Sequence, residues 1–105
     1  MKLSLDVETQ GNHVVITAHG DVNLTSSPKL RSALLEAVGA SESVVAIDLS
    51  GVRYMDSSGV ATLVEGLRRA HETGAALRLV RPSKQVRSVL EMTRLDTAFE
   101  IEEAS

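Results

Sequence analysis

One uninterrupted apolar segment constrains the fold of this chain more than any other feature. Residues 44–47 read VVAI, a mostly β-branched run that contains no polar residue and shows no alternation. Such a run predicts a central strand covered on both faces, because a strand with one solvent-exposed face alternates between apolar and polar residues instead. The rest of the chain must therefore supply the elements that cover it.

The residues before this run predict an antiparallel hairpin. Residues 3–7 and 14–18 alternate between apolar and polar side chains, which is the period of strands with one buried face. Gly11 and Asn12 stand between the two segments and favour a tight turn, and Gly20 is predicted to end the second strand. The hairpin adds one antiparallel strand to the sheet.

After the hairpin, helix-type and strand-type patterns alternate along the chain. We predict a first helix that begins at Pro28 with Ser27 as N-cap and ends at Gly39, followed by the strand over residues 44–47, with Asp48 at its polar end, and a loop through Gly51. A second helix is predicted from residues 56–59 to a C-cap at Gly74. A strand at Leu77 and Leu79, a third helix opened by Pro82 and Ser83, and a short apolar pair at Phe99 and Ile101 complete the chain. This order predicts one α/β domain over residues 1–105, with right-handed crossovers and helices packed against a mixed, mostly parallel β-sheet.

Composition and charge exclude several classes of function. The net charge is −3 and aromatic residues make up 2% of the chain, so it lacks the basic surface and the stacking platforms of a nucleic-acid-binding protein. The absence of cysteine excludes a disulfide framework and a thiolate metal site. The N-terminal residues alternate in polarity and no long apolar run follows, so we expect a cytoplasmic protein without direct membrane insertion.

The tetrapeptide Asp56-Ser57-Ser58-Gly59, at the start of the second helix, is the strongest candidate for a functional site. Open α/β sheets place their sites at the carboxyl ends of strands, where this turn and Asp48 are both predicted to lie. One interpretation is structural, with Asp56 or Ser57 capping the helix. The other is functional, with Ser57 presenting an exposed hydroxyl to a kinase, and both can hold together.

Phosphorylation of Ser57 would change the surface and leave the fold intact. It would add about −1.5 to −2 charges, which a helix N-terminus tolerates. If the surface meets an acidic or apolar partner, a cost of about 3 kcal/mol for an unmatched charge would lower the affinity roughly a hundredfold. This mechanism needs no catalytic residue, cofactor or metal, so the sequence favours a regulatory binding protein over an enzyme.

Residues 45–59, VAIDLSGVRYMDSSG, resemble the signature of STAS domains of the anti-sigma factor antagonist type. The segments GDVN at residues 20–23 and VLEMTRL at residues 89–95 match other parts of that pattern, so the resemblance covers nearly the whole chain. Asn23 stands where the family often has Asp, and Val60 stands where Leu is more usual. The resemblance implies a STAS-like fold.

The resemblance also implies a bacterial transcription regulator that works by partner switching. An unphosphorylated protein of this family binds a kinase-type anti-sigma factor, which has a histidine-kinase-like ATPase fold, and so frees the sigma factor. The same partner phosphorylates the first serine of the motif, and a metal-dependent serine phosphatase reverses the reaction. Carried onto this chain, Ser57 is the phosphoacceptor, Asp56, Ser58 and Gly59 shape the partner site, and Asn23 borders it.

Of three other functions, particular residues argue against the first two, and the partner distinguishes the third. A serine hydrolase would need a glycine where Met55 stands, and His13, His19 and His71 have no motif spacing. A receiver-like domain would be phosphorylated on Asp48, but it needs further acidic residues after its first strand to hold magnesium. A STAS accessory subunit of a lipid-transport ABC complex, or of another non-sigma signalling assembly, would keep the fold and change the partner.

Overall fold

The computed structural model describes residues 1–103 as three helices and one five-stranded sheet. The elements in chain order are β1 (Ser4–Gln10), β2 (His13–Val22), α1 (Ser27–Gly39), β3 (Val44–Met55), α2 (Ser57–Thr73), β4 (Ala76–Val80), α3 (Lys84–Met92) and β5 (Glu100–Glu102). The strands follow one another across the sheet in chain order; β1 and β2 pair antiparallel and all later neighbours pair parallel. The predicted mixed, mostly parallel sheet with an N-terminal hairpin is confirmed.

Within residues 1–103 the apolar core lies against one face of the sheet, and this corrects the prediction that residues 44–47 are covered on both faces. Ile16, Ile47 and Leu79 stand side by side across β2, β3 and β4, and each is fully buried. On the opposite face Val15 is 44% exposed and its neighbour Ala46 is half-buried. The physical reason is topological, because right-handed crossovers between parallel strands that advance in a single direction place every helix on the same side.

β3 is much longer than the sequence predicted. It continues beyond Asp48, through the predicted loop at Gly51, to Met55. Five steps along β2, from Thr17 to Val22, correspond to seven steps along β3, from Asp48 to Met55, so β3 carries two bulges. The buried apolar side chains beyond Asp48 therefore fall three residues apart, at Leu49, Val52 and Met55. This spacing departs from the period of two that a regular strand shows, and the predicted loop through Gly51 is wrong.

Two other boundaries differ from the prediction, whereas the end of α1 at Gly39, the start of α3 at Ser83 and the C-cap of α2 are confirmed. β2 does not end at Gly20 but continues to Val22, and the positive φ of Gly20, 108°, accompanies the irregular pairing there. Ser26 occupies the N-cap position of α1, so Ser27 lies in the first turn of the helix and is buried. Gly74 is the C-cap of α2, as predicted, with the left-handed φ of 79° that glycine adopts without strain.

The contact between α1 and α2 tests this packing. A Cβ atom on Gly66 of α2 would lie 2.8 Å from Cγ of Leu34 in α1, and Leu34 is fully buried. We expect Gly66→Ala to lower the free energy of unfolding by about 1 kcal/mol or more, because overpacking outweighs the gain in helix propensity. Gly39→Ala is the matched control, since a Cβ there meets no atom within 4 Å. Urea unfolding measures both; an unchanged midpoint for Gly66→Ala would contradict the close contact.

Candidate functional site

The carboxyl ends of β2 and β3 meet at one end of the sheet and carry the predicted site residues. Val22 and Met55 are paired in register, and the backbone N–H of Asp56 donates to the carbonyl oxygen of Val22 over 3.1 Å. Asn23 follows the first of these strands, and residues 56–59 follow the second. The structure therefore brings the Asn23 loop and the Asp-Ser-Ser-Gly turn together at one end of the sheet.

Asp56 is the N-cap of α2. Its backbone is extended, with φ −104° and ψ −170°, and its Oδ1 accepts hydrogen bonds from the backbone N–H of Ser58 at 2.9 Å and from the Ser58 hydroxyl at 2.5 Å. The hydrogen bond from the Ser58 hydroxyl is the main reason why the pKa of the Asp56 carboxyl lies below its ordinary value, although partial burial opposes the shift. Of the two predicted caps, Asp56 takes this role and Ser57 does not.

Ser57 is the first residue of α2, and its side chain is exposed. Within residues 1–103 its hydroxyl makes no hydrogen bond to another protein group, whereas the neighbouring Ser58 hydroxyl is occupied by Asp56. The two serines of the motif thus differ in environment. Ser57 offers a free hydroxyl at a stable helix terminus, and Ser58 is part of the cap.

Ser58 and Gly59 hold the turn against the strands. The carbonyl oxygen of Ser58 accepts a hydrogen bond from the hydroxyl of Thr62 over 3.0 Å. Gly59 is buried, and a Cβ atom on it would lie 2.5 Å from Cγ of Met55 and 2.8 Å from a methyl carbon of Val22. Only glycine allows α2 to begin this close to the strand ends, so Gly59 acts on the surface by positioning the helix.

Asn23 organises the loop between β2 and α1. Its side-chain oxygen accepts hydrogen bonds from the backbone N–H groups of Thr25 and Ser26, both at 3.0 Å, which is an Asx turn. The Ser26 hydroxyl accepts from the N–H of Asn23 at 2.9 Å and donates to the carbonyl oxygen of Asp21 at 2.8 Å. These contacts need only an oxygen acceptor at residue 23. Asn therefore preserves the loop that an Asp would form and removes one negative charge from the site.

Two exposed apolar residues beside the site were missed by the sequence analysis. Leu24 is 79% exposed in the loop that Asn23 organises, and Tyr54, two residues before Asp56, is 46% exposed. A leucine within an otherwise polar loop is the signal that could have revealed the first of them. Exposed apolar side chains next to a candidate site are typical of a surface that binds protein.

A shallow depression of about 480 Å³ lies beside Ser57 along the outer face of α2. Its other lining residues are Val60, Ala61, Val64, Glu65, Arg68 and Leu95. Glu65 is held by a two-pronged ion pair with Arg31 of α1, in which Nε lies 2.8 Å from Oε1 and Nη2 lies 2.6 Å from Oε2. The floor of the depression is thus aliphatic, and its far rim is charged.

Asp48 is not at a strand end, which corrects the prediction that it lies near the motif. It sits inside β3, seven residues before Met55, and the five matching steps of β2 place it roughly 17 Å away along the sheet. Its Oδ1 accepts from the backbone N–H of Ser50 at 2.9 Å and from the Ser50 hydroxyl at 2.7 Å, and its Oδ2 contacts the Arg81 guanidinium. Burial raises the pKa of the Asp48 carboxyl, but these hydrogen bonds outweigh it and leave the pKa lowered. A buried, fully engaged carboxylate is a structural ion-pair partner.

The described part of the chain holds neither a metal cluster nor a membrane-spanning helix. No group of three or more His, Asp or Glu side chains in residues 1–103 could hold a metal ion. His13 and His19 lie on β2 and His71 lies on α2, and all three are exposed. None of the three helices combines the length and the apolar content needed to cross a bilayer.

Sequence comparison gives two kinds of match over nearly the whole chain. The family model described as "Mlab, STAS domain" matches residues 5–102. The anti-sigma-B factor antagonist of Listeria monocytogenes is 30% identical over 103 residues, which cover 96% of this chain and 90% of that protein.

Two solved structures of SpoIIAA, an anti-sigma factor antagonist, share the fold. Its unphosphorylated form has a TM-score of 0.81 and 23% identity, and the match covers 97% of this chain and 89% of that one. The phosphorylated form, from Bacillus, has a TM-score of 0.76 and 22% identity, and the match covers 97% and 92%. At these identities the likeness shows the fold alone.

The cap formed by Asp56 predicts a specific pH dependence. The pKa of this carboxyl is lower in the folded chain than in the unfolded chain, where it is about 4. The carboxylate therefore contributes its full stabilisation of the fold at pH values above the pKa of the unfolded chain. That contribution is lost as the pH falls through the pKa of the folded chain. Asp56→Ala should lower the free energy of unfolding at pH 7 by about 0.5–2 kcal/mol. Asp56→Asn keeps an acceptor, so it should cost less at pH 7 and should lack this titration.

Urea unfolding at pH 7 and at pH 3 measures these differences. We expect the gap between the parent chain and Asp56→Ala to narrow at the lower pH, since protonation weakens the cap in the parent alone. A gap of equal size at both pH values would show that the carboxylate charge contributes nothing to the cap.

Proposed function

The chain belongs to the STAS domain family, and from this membership we propose that it is an anti-sigma factor antagonist controlled by phosphorylation of Ser57. In its unphosphorylated form it binds a kinase-type anti-sigma factor with a histidine-kinase-like ATPase fold, in the cytoplasm. That partner phosphorylates Ser57, and a metal-dependent serine phosphatase restores the hydroxyl. The chain itself performs no catalysis in this cycle.

The observation that carries the proposal is the contrast between the two serines of the motif. The Ser57 hydroxyl is exposed and free of protein hydrogen bonds within the described residues, whereas the Ser58 hydroxyl donates to Asp56 at 2.5 Å. A kinase needs a hydroxyl that can approach the γ-phosphate without breaking the fold. Phosphorylation of Ser58 would destroy the cap of α2, and phosphorylation of Ser57 would not.

The surroundings of Ser57 explain how a phosphate would act as a switch. Asp56, directly before it, is an ionised carboxylate at neutral pH, and its lowered pKa keeps it ionised under more acidic conditions as well, so a phosphate adds to an existing negative charge. The guanidinium of Arg31 in α1 is already paired with Glu65, which lines the depression. Arg68 lies eleven residues further along α2, or about 16 Å up the helix. A phosphate on Ser57 would therefore remain without a counter-charge from residues 1–103 of this chain and would face the bound partner.

The apolar residues around Ser57 supply a docking surface for the anti-sigma factor. Leu24 and Tyr54 are exposed on the strand-end side, and the aliphatic floor of the depression lies on the α2 side. A partner that covers them buries Ser57 at the same time. A phosphate in such a contact loses water without gaining a counter-charge, which is the cost that would release the partner.

A second candidate function keeps the surface and changes the partner. The matching family model is described as "Mlab, STAS domain", a description that differs from the antagonist name of the Listeria monocytogenes relative. An accessory subunit of a lipid-transport ABC complex, or of another non-sigma signalling assembly, would use the same strand-end edge to bind an ATPase of the transporter type. The two candidates predict different partners.

Capture of the partner distinguishes these candidates. The unphosphorylated chain, immobilised and incubated with extract of the organism that encodes it, should recover an ATPase of the histidine-kinase-like type, identified by mass spectrometry. With ATP, that partner should add one phosphate to Ser57 and none to Ser58. Recovery of a transporter-type ATPase would support the accessory-subunit function instead.

Substitutions at Ser57 test the switch itself. Ser57→Ala should bind the captured kinase as tightly as the parent chain and should resist phosphorylation, whereas Ser57→Asp should bind roughly a hundredfold more weakly, because it fixes a negative charge in the contact. Ser41→Asp is the matched control, since Ser41 is exposed in the loop before β3, at the opposite end of the sheet. Titration calorimetry measures the affinity of the kinase for the parent chain and for the three variants. Equal affinity for Ser57→Asp and for the parent chain would refute the mechanism.

Leu24 tests the docking surface independently of phosphorylation. Leu24→Ala should weaken binding of the same kinase about tenfold, because it removes an exposed side chain that a partner would bury. Its unfolding midpoint should not move, since Leu24 packs against little of the fold. Val15→Ala, a truncation of similar type on the open face of the sheet, should leave the affinity unchanged. Loss of affinity in both variants, or in neither, would place the interface elsewhere.

A further inference from the structure

Within residues 1–103, the last part of β3 has no neighbouring strand on the side of β4. The pairing of β3 with β4 begins at Val44 and ends at Asp48, where β4 reaches Val80. The N-terminus of α3 bonds to the later part of β3 instead. The Ser83 hydroxyl donates to the carbonyl oxygen of Val52 over 2.7 Å, so side chains replace the missing strand.

Gln85 makes both backbone hydrogen bonds that a neighbouring strand would make with Met55. Its Oε1 accepts from the N–H of Met55 at 2.8 Å, and its Nε2 donates to the carbonyl oxygen of Met55 at 3.1 Å. A side-chain amide is the group that can donate and accept at once in this planar arrangement. Gln85 is half-buried, which shields both bonds from competition with water.

Met55 is the residue on which the Asp-Ser-Ser-Gly turn depends. Its side chain is fully buried and lies against Gly59, and the next residue along the chain is the cap, Asp56. On one side the strand end is fixed to β2 by the bond from Asp56 to the carbonyl oxygen of Val22. On the side away from β2, the amide of Gln85 holds the end of β3.

We propose that Gln85 is a positioning residue for Ser57, which holds the end of β3 and thereby sets the geometry of the helix cap and of the acceptor hydroxyl. This rests on the proposed function only in taking Ser57 as the acceptor. α3 thus becomes part of the switch although it carries no residue of the motif. Without the Gln85 amide, the end of β3 is held on the β2 side alone, and the turn that follows opens more often.

Hydrogen exchange of the free chain tests the structural half of this proposal. In Gln85→Ala, exchange of the Met55 and Ser58 amides should accelerate by about fivefold or more, the factor that corresponds to one net hydrogen bond, while the Ile47 amide keeps its rate. Gln85→Glu keeps the size and an acceptor but loses the donor at neutral pH, so it should also accelerate the Ser58 amide. Gln10→Ala, at the exposed end of β1, is the matched control and should change none of these rates.

Phosphorylation kinetics test the functional half. With the captured kinase and ATP, Gln85→Ala should lower kcat for Ser57 by about fivefold or more and leave KM unchanged, because the docking surface stays in place while the hydroxyl is misplaced. Unchanged exchange at Ser58 would overturn the proposal, and so would faster exchange with an unchanged kcat. If the parent chain is not phosphorylated on Ser57 at all, the proposed function fails, and exchange at Ser58 still decides whether Gln85 positions the turn.

Discussion

Burial of aliphatic side chains on a single face of the sheet is the constraint on which the rest of this structure depends. The chain has almost no aromatic residues, so its core is built from branched aliphatic side chains such as Ile16, Ile47 and Leu79 in rows across the strands. Since the parallel strands advance in one direction, the crossover helices form one layer over those rows. Every such helix begins near the carboxyl end of the strand before it. The position of the candidate site is therefore a consequence of how the core is covered.

At this site the four residues of the motif divide two tasks between them. Asp56 and Ser58 form a closed hydrogen-bonded cap, and Gly59 lets the helix approach the strands, so these three stabilise the turn. Ser57 takes no part in that cap and keeps an exposed hydroxyl. A side chain can change its charge without loss of stability only where the local structure does not depend on it. Ser57 meets this condition, because Asp56 and Ser58 form the cap of α2 without it.

Local patterns were enough to predict the order of elements, the hairpin and the motif at the start of α2, because periodicity and turn residues act over a few positions. They were not enough for β3, where two bulges replace the period of two by a spacing of three between Leu49, Val52 and Met55. They also wrongly placed Asp48 at a strand end. The prediction that both faces of the strand are covered failed because coverage depends on topology rather than on composition. Gln85 had no signal at all in the sequence. Its two contacts join a side chain to a backbone thirty residues away.

The two bulges in β3 make the length of that strand as important as its composition. Between Asp48 and Met55 each inserted residue reverses which side of the sheet the following side chains face, and the second insertion restores the original phase. Loss of one residue from this stretch would thus turn Met55 out of the core and rotate the serine behind it to the wrong side. Sequence drift here is free to exchange side chains of similar size, but the insertion or deletion of a single residue would reverse the faces of the strand end.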